Sequence, residues 1–460
     1  MGRSWIGVLV IVALLAGLSI AVWAAVVRER EYQALLGRGD AALTADQTDA
    51  AIEAYSGALA LKADSMIAYL KRGETYRKRG DLGNALKDLR IASRLDPAAE
   101  RPAELLGDVN YSLERYAKAV ESYRQFVDLD ERNPKVFYKL GLAQFRTGDI
   151  TGAIPSLRKA VALDERLAEA HYLLGLCLRS QNQPTEAVRA LEQASRLSPG
   201  LVAPREALAD IYETVGRPRD AIVQLEAIAT LEPDRPERQA AVARAYARAG
   251  RTDAAIGVLG RATERYPDNA VIYLTLGAVW LDAAEPRRDR VALRKAIEAL
   301  EPLTRGPRIS GDALALYGRA LMLSGDVQGA AAALQQSADM LPTKPDTLLM
   351  LADASERLGR LPVVRSALEH WAALTPETGQ TRAAVLERLG DTCQRLGDQR
   401  EAIRAWHRAA TIAPAPALLV RLATAEFQLG DVQAARATLA RGLELNPRHP
   451  ALVSLQRQIQ

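Results

Sequence analysis

Histidine and cysteine are nearly missing from this chain of 460 residues, which carries four of the first and two of the second. His171, His370, His407 and His449 are spread out and make neither a metal-ligand spacing nor a nucleophile–base set. Cys177 and Cys393 are far apart and read as two buried small hydrophobes. No phosphate-binding glycine loop, no Gly-x-Ser-x-Gly and no His-Glu-x-x-His is found. These absences argue against an enzyme, and no cofactor, metal or small-molecule substrate is expected. Aromatic residues are only 5%, so alanine and leucine must do the packing. Sixty basic residues against 56 acidic ones leave a net charge of +4, too balanced for a general nucleic-acid binder. Lysine is scarce against arginine, and the Ala/Arg bias is the one expected of a GC-rich bacterial genome.

What the chain does have is a period. Gly39, Gly73, Gly107, Gly141, Gly175, Ala209, Ala243 and Gly277 recur every 34 residues. Twelve positions after each comes Ala51, Ala85, Ala119, Ala153, Ala187, Ala221 and Ala255, then Ala296 after a seven-residue insertion. Gly318/Ala330, Ala352/Val364, Gly390/Ala402 and Ala423/Ala435 complete twelve repeats. A period of this length marks a solenoid, in which each repeat buries its apolar face on its neighbours. Such chains are usually binding surfaces.

One repeat shows the local logic. Met66–Arg79 has Met66, Tyr69, Gly73 and Tyr76 on one helical stripe. Gly80-Asp81 breaks it, and Leu82–Leu95 is a second amphipathic stretch ended by Asp96-Pro97. Gly73 and Ala85 are expected to be small because two helices cross there. The insertion within Asp282–Lys295 carries Arg287, Arg288, Arg290, Arg294 and Lys295. It reads either as a basic contact point or as a helix extended into solvent with a charged tip. Arg38-Gly39-Asp40 and Asn110-Tyr111-Ser112 spell an adhesion and a glycosylation motif, but both fall inside repeat helices.

The small residue at repeat position 8, alanine at 20, a large apolar residue at 24 and proline at 32 resemble the tetratricopeptide repeat (TPR) family. Position 24 reads Tyr55, Leu89, Tyr123, Leu157, Leu191, Leu225, Leu259, Leu300, Leu334, Leu368, Trp406 and Leu439. Val364 departs at position 20, and several repeats lack the closing proline seen at Pro97, Pro199 and Pro447. The resemblance implies an all-α superhelical solenoid of about twelve helix-turn-helix repeats. The expected layout is an anchor with short flanks over 1–30, the array over 31–447 and a capping helix over 448–460.

Ile6–Val27 is free of charge and, at ~1.5 Å per residue, long enough for a transmembrane helix. Trp5 and Trp23 would mark its two interfaces. The alternative is a cleaved signal peptide with Val22 and Ala24 before the cut. The retained anchor is favoured, giving a single-pass protein of the bacterial inner membrane. Its repeats are placed on the extracytoplasmic side, although Arg28, Arg30 and Arg38 point the other way.

In the family the first helix of each repeat lines an inner groove, with positions 2, 5, 9 and 12 toward the ligand. Most repeats place charge there, as in Glu74, Arg77, Glu206, Asp210, Glu213, Asp353, Glu356, Glu387 and Asp391. Repeats four and five instead carry Tyr138, Leu142, Phe145, Tyr172 and Leu176. These five are the candidate peptide-binding residues; the competing reading packs the same rings against neighbouring helices. The clamp for chaperone tails wants lysine at 5 and asparagine at 9, and Leu36/Asp40, Leu70/Glu74 and Glu104/Asp108 lack it. The resemblance therefore implies a membrane-tethered scaffold or assembly factor that binds protein or peptide segments. The alternative is a regulatory subunit of an envelope enzyme or of a secretion or lipopolysaccharide-assembly complex, although the four-cysteine metal module of the lipopolysaccharide-control type is missing.

Overall fold

The computed structural model describes residues 2–306, 309–376 and 379–459, with the side chains at 2–8, 10, 11, 13 and 287 outside that description. Among the described residues there are 25 α-helices, two short 3-10 turns and no strand. Met66–Arg79 and Leu82–Leu95 are helices with those same boundaries. The first and second helices of each repeat are called A and B below.

The turn between them explains the recurring Gly-Asp pair. Gly80 ends helix A at φ +83°, in the left-handed region that costs other residues ~1 kcal/mol or more. Its N–H bonds the Arg77 carbonyl. Asp81 then caps helix B, with Oδ1 accepting from the Asn84 N–H at 3.1 Å. One residue stops a helix and the next starts another. Asp149, Asp326, Asp398 and Asp431 cap in the same way. Repeats six and seven read Gly-Arg at this turn, and there Arg217 and Arg251 stack on Tyr212 and Tyr246, 4.6 Å from each ring centre.

Within a repeat, the twelve residues at position 20 are at most 1% exposed. Position 8 is small for a more specific reason than the crossing of two helices. A Cβ on Gly141 would stand 2.6 Å from Leu157 Cγ, and one on Gly318 would stand 2.6 Å from Leu334 Cγ. Gly39, Gly107 and Gly390 face Tyr55, Tyr123 and Trp406 in the same relation. The large residue at position 24 fills the space that position 8 leaves, so the two recur together.

The chain divides into two compact halves, Met1–Leu231 and Glu232–Gln460. In each half, helices A of consecutive repeats touch one another and form a row. Pro134–Arg146, Ala168–Ser180 and Val202–Thr214 do so in the first half. Pro236–Arg248, Ala270–Ala284, Gly311–Ser324 and Pro345–Arg357 do so in the second. The last helix, Pro450–Ile459, buries Leu452, Leu455 and Ile459 over Ala423, Ala435 and Leu439.

Two sequence readings change. The N-terminal apolar run belongs to one helix, Gly2–Thr44, whose final part is helix A of the first repeat. Among the described residues no helix is long and apolar enough to cross a membrane. This overturns the single-pass membrane assignment drawn from Ile6–Val27, and with it the inner-membrane location and the sidedness of the repeats. Arg28–Glu31 then bring charge, and Tyr32 and Leu36 are buried with Tyr55 in the first repeat. The side chain of Trp5, expected at one interface, lies outside the described residues.

The insertion also differs from an extended helix. Helix A of repeat eight ends at Ala284, a 3-10 turn covers Glu285–Arg287, and Arg288 turns at φ +51°. Asp289 then caps Arg290–Leu300. Lys295 Nζ lies 4.4 Å from the centre of the Trp280 ring, and Arg294 faces Glu298.

Candidate peptide-binding surface

All five candidate residues lie on the row of A helices, on Pro134–Arg146 and Ala168–Ser180. Tyr138, Leu142, Phe145, Tyr172 and Leu176 gather in one apolar cluster. Each is half-buried: its inner side packs on a core that includes Leu157, Leu173, Leu174 and Leu178, and its outer side meets solvent. They are therefore neither free-standing rings nor fully buried ones. Burial raises the pKa of the Tyr138 hydroxyl, and the nearby Glu169 and Tyr111 raise it further.

Tyr111, on helix A of repeat three, packs on the neighbouring core of Ala103, Ala119 and Leu140 and escaped the sequence reading. It stands edge-on to Tyr116, with ring centres 5.2 Å apart, and its hydroxyl accepts from Arg146 Nε at 3.3 Å. The signal was present, since Tyr111 holds position 12 of its repeat, as Phe145 does in the next.

The charged groove positions behave differently. Their carboxylates bond cations of the next repeat, which stand mostly at position 6. Lys71 Nζ reaches Asp40 at 2.6 Å, and Arg101 reaches Glu74 at 2.6 Å. Lys139 bridges Glu104 and Asp108 at 2.8 Å each. Arg388 reaches Asp353 and Glu356 at 2.7 Å each, and Arg421 bonds both Glu387 and Asp391. Burial pushes Glu104 up, but the bond and charge of Lys139 outweigh it and hold the carboxyl below its ordinary value. The same opposition, with Arg388 and Arg395 winning, lowers Glu356. These side chains tie repeat to repeat and are partly neutralised, whereas the apolar cluster turns its outer side to solvent.

The second half contains a feature with no counterpart in the sequence reading. A cavity of about 610 Å³ opens on the A helices of repeats seven to ten, between Arg244 and Met350. Its walls carry alanine at Ala247, Ala278 and Ala315.

The remaining motifs have structural roles. Asn110 is buried and donates to the Leu106 carbonyl at 2.9 Å. Asp40 of the Arg-Gly-Asp string is engaged by Tyr55 and Lys71. Cys177 and Cys393 are buried and unbridged, and burial pushes the Cys177 thiol up to about 11. His407 Nε2 lies 2.6 Å from Oε1 of the buried Glu426. Among the described residues no three His, Cys, Asp or Glu side chains gather as a metal site would require.

Comparison with known proteins agrees with the packing. Three tetratricopeptide repeat profiles match, one over 138–201, 293–345 and 388–450, one over 107–148 and one over 178–245 and 214–279. Together they cover more than half of the chain. Small glutamine-rich tetratricopeptide repeat-containing protein 2 of Mycosarcoma maydis is 34% identical over 109 residues, 24% of this chain and 30% of that protein. Hsp70-Hsp90 organizing protein 3 of Arabidopsis thaliana is 30% identical over 83 residues, 18% of this chain and 15% of that protein. The chain thus spans less than a third of the length of these relatives. Among solved structures, the MamA protein is 27% identical, covering 36% of this chain and 92% of its own, with a TM-score of 0.36. The repeat register, the Gly-Asp turns and the matched profiles agree: this chain belongs to the tetratricopeptide repeat family.

Proposed function

We propose that the protein is an interaction scaffold that holds segments of partner proteins along its A helices and performs no bond chemistry. The observation that carries this reading is the half-buried apolar cluster of Tyr138, Leu142, Phe145, Tyr172 and Leu176. Packing on the inner side fixes the rings, so little side-chain entropy remains to be lost on binding. The outer side offers apolar area to an extended strand or an amphipathic helix. Tyrosine rings suit such a surface because they pair an apolar body with a polar tip.

Two matched relatives are named as Hsp70-Hsp90 organizing proteins. The chaperone-tail role is not carried over. Repeat three puts Glu104 and Asp108 where that clamp needs lysine and asparagine, and both already bind Lys139.

A photo-crosslinking amino acid placed at Leu142 tests the proposal in cells. Crosslinks to polypeptide partners should form there and be rare from the same probe at exposed Glu226. Equal yields from the two positions would contradict it.

A further inference from the structure

The insertion of repeat eight rebuilds the turn between helices A and B around arginine. Eight other repeats place glycine at the left-handed position of this turn. Here Arg288 takes it at φ +51°, and Asp289 follows as the helix cap, as Asp81 follows Gly80. Arginine bears a strain there that glycine avoids, and its side chain is exposed. Helix B of this repeat, Arg290–Leu300, then begins with a second exposed arginine. A cation in the first turn faces the positive end of the helix dipole, which weakens the helix. Folding explains neither choice.

The acids nearby do not cancel these two charges. Asp282 and Glu285 turn to Arg319 of the next repeat. Asp289 accepts from the Val291 and Ala292 N–H groups at 2.8 and 3.4 Å. Glu298 lies 3.9 Å from Arg294. Among the described residues no carboxylate bonds Arg288 or Arg290. Lys295 keeps its charge over the face of Trp280, which holds it in place. Arg290 and Arg294 are four apart, as are Val291 and Lys295, so the four share one exposed strip of the helix. Val291, at 52% exposure, puts an apolar side chain among the cations.

We propose that this turn and the adjoining face of helix B form a docking site for an acidic protein segment. Its carboxylates pair with Arg288 and Arg290, whose planar guanidinium groups suit them, and Val291 meets its apolar side chains. A polypeptide fits better than a nucleic acid. The net charge of +4 over 460 residues gives no broad positive field, and the cations cluster at one turn instead of following a phosphate backbone. The site lies on helix B, off the row of A helices, and does not depend on the apolar cluster there.

The test titrates a fluorescein-labelled oligoglutamate peptide with the full chain at about 0.15 M salt, where distant charges are screened. Arg288→Glu/Arg290→Glu should weaken binding about tenfold. Arg90→Glu/Arg124→Glu changes the net charge equally at two exposed arginines on helices B of repeats two and three, and should leave binding within about twofold. An oligolysine peptide should gain affinity for the chain reversed at Arg288 and Arg290. The thermal melt of that variant should hold or rise, because glutamate suits a helix N-terminus. Arg288→Gly/Arg290→Gln, which relieves the turn, should also lose affinity, so that unfolding cannot account for the result. Equal weakening by the two reversals would overturn the proposal, because net charge alone would then explain binding. So would full affinity in Arg288→Gly/Arg290→Gln, no gain with oligolysine, or duplex DNA that binds through the same arginines more tightly than the peptide.

Discussion

Trp406 donates its indole N–H to Asp391 at 3.0 Å, and the same bond joins Tyr55 to Asp40 and Tyr123 to Asp108 at 2.8 Å each. These are the three repeats whose position 24 carries a hydrogen-bond donor, and each has aspartate at position 9. A cation from the next repeat, Lys71, Lys139 or Arg421, closes each set. Asp391→Ala should therefore leave the buried Trp406 N–H only its longer bond to the Glu387 carbonyl, at 3.2 Å, and Arg421 only Glu387, a loss of ~1–3 kcal/mol. Asp353→Ala, which removes only a partly exposed ion pair with Arg388, should cost less than ~1 kcal/mol. Chemical denaturation followed by tryptophan fluorescence compares the two, and equal losses would mean that the Trp406 bond adds nothing.

Glu114 occupies the left-handed turn position at φ +57°, where eight other repeats place glycine. Glu114→Gly should relieve local strain and raise stability by ~0.5–1 kcal/mol, net of the extra freedom of glycine in the unfolded chain. The reverse change, Gly148→Glu, should destabilise by ~1 kcal/mol. Thermal melts of the two variants should move in opposite directions.

Gly175→Ala would place a Cβ 2.5 Å from Leu191 Cγ and 3.2 Å from the Ala187 carbonyl oxygen. The backbone contact cannot rotate away, so overpacking of ~1–3 kcal/mol is expected. Gly260→Ala, with open space around its Cβ, should instead be neutral or slightly stabilising. Hydrogen exchange in Ala168–Ser180 would register the difference, and equal protection in both variants would contradict the assigned packing.

The contact with Glu426 raises the pKa of His407 above the ordinary histidine value, against burial and the charge of Arg441. A raised folded pKa favours the fold most below about 6.5, and that gain disappears as pH climbs through the raised value. The last repeats should therefore lose stability between mildly acidic and mildly alkaline pH. His407→Phe should flatten this slope in melts taken across that range, and an unchanged slope would assign it to other groups.

The fold was legible because its rules are local. Gly80-Asp81 announces both a stop and a cap, and the spacing of Gly141 from Leu157 reflects a contact within one repeat. The surface was legible only in part. Tyr138 and Leu142 stood out as apolar residues where neighbours are charged. The pairing of Asp391 with Arg421 did not, because it links side chains 30 residues apart across two repeats. The cavity at Ala278 was hidden for a different reason: alanine reads as good packing, and only the neighbouring helices reveal that nothing fills the space beside it. At the N-terminus, composition suggested a span, whereas the helix found there runs on into the first repeat as Gly2–Thr44.

The most direct test of the central claim uses one variant, Tyr138→Ser/Phe145→Ser/Tyr172→Ser, on which partner binding and the thermal melt are measured together. The partner is the polypeptide identified by crosslinking at Leu142. A binding surface predicts lost capture with the helical circular-dichroism signal and a cooperative melt retained. If the rings serve only as core, truncation at ~3–5 kcal/mol for each large aromatic would melt repeats four and five. A collapse of the melt, or capture that survives the triple change, would contradict the account.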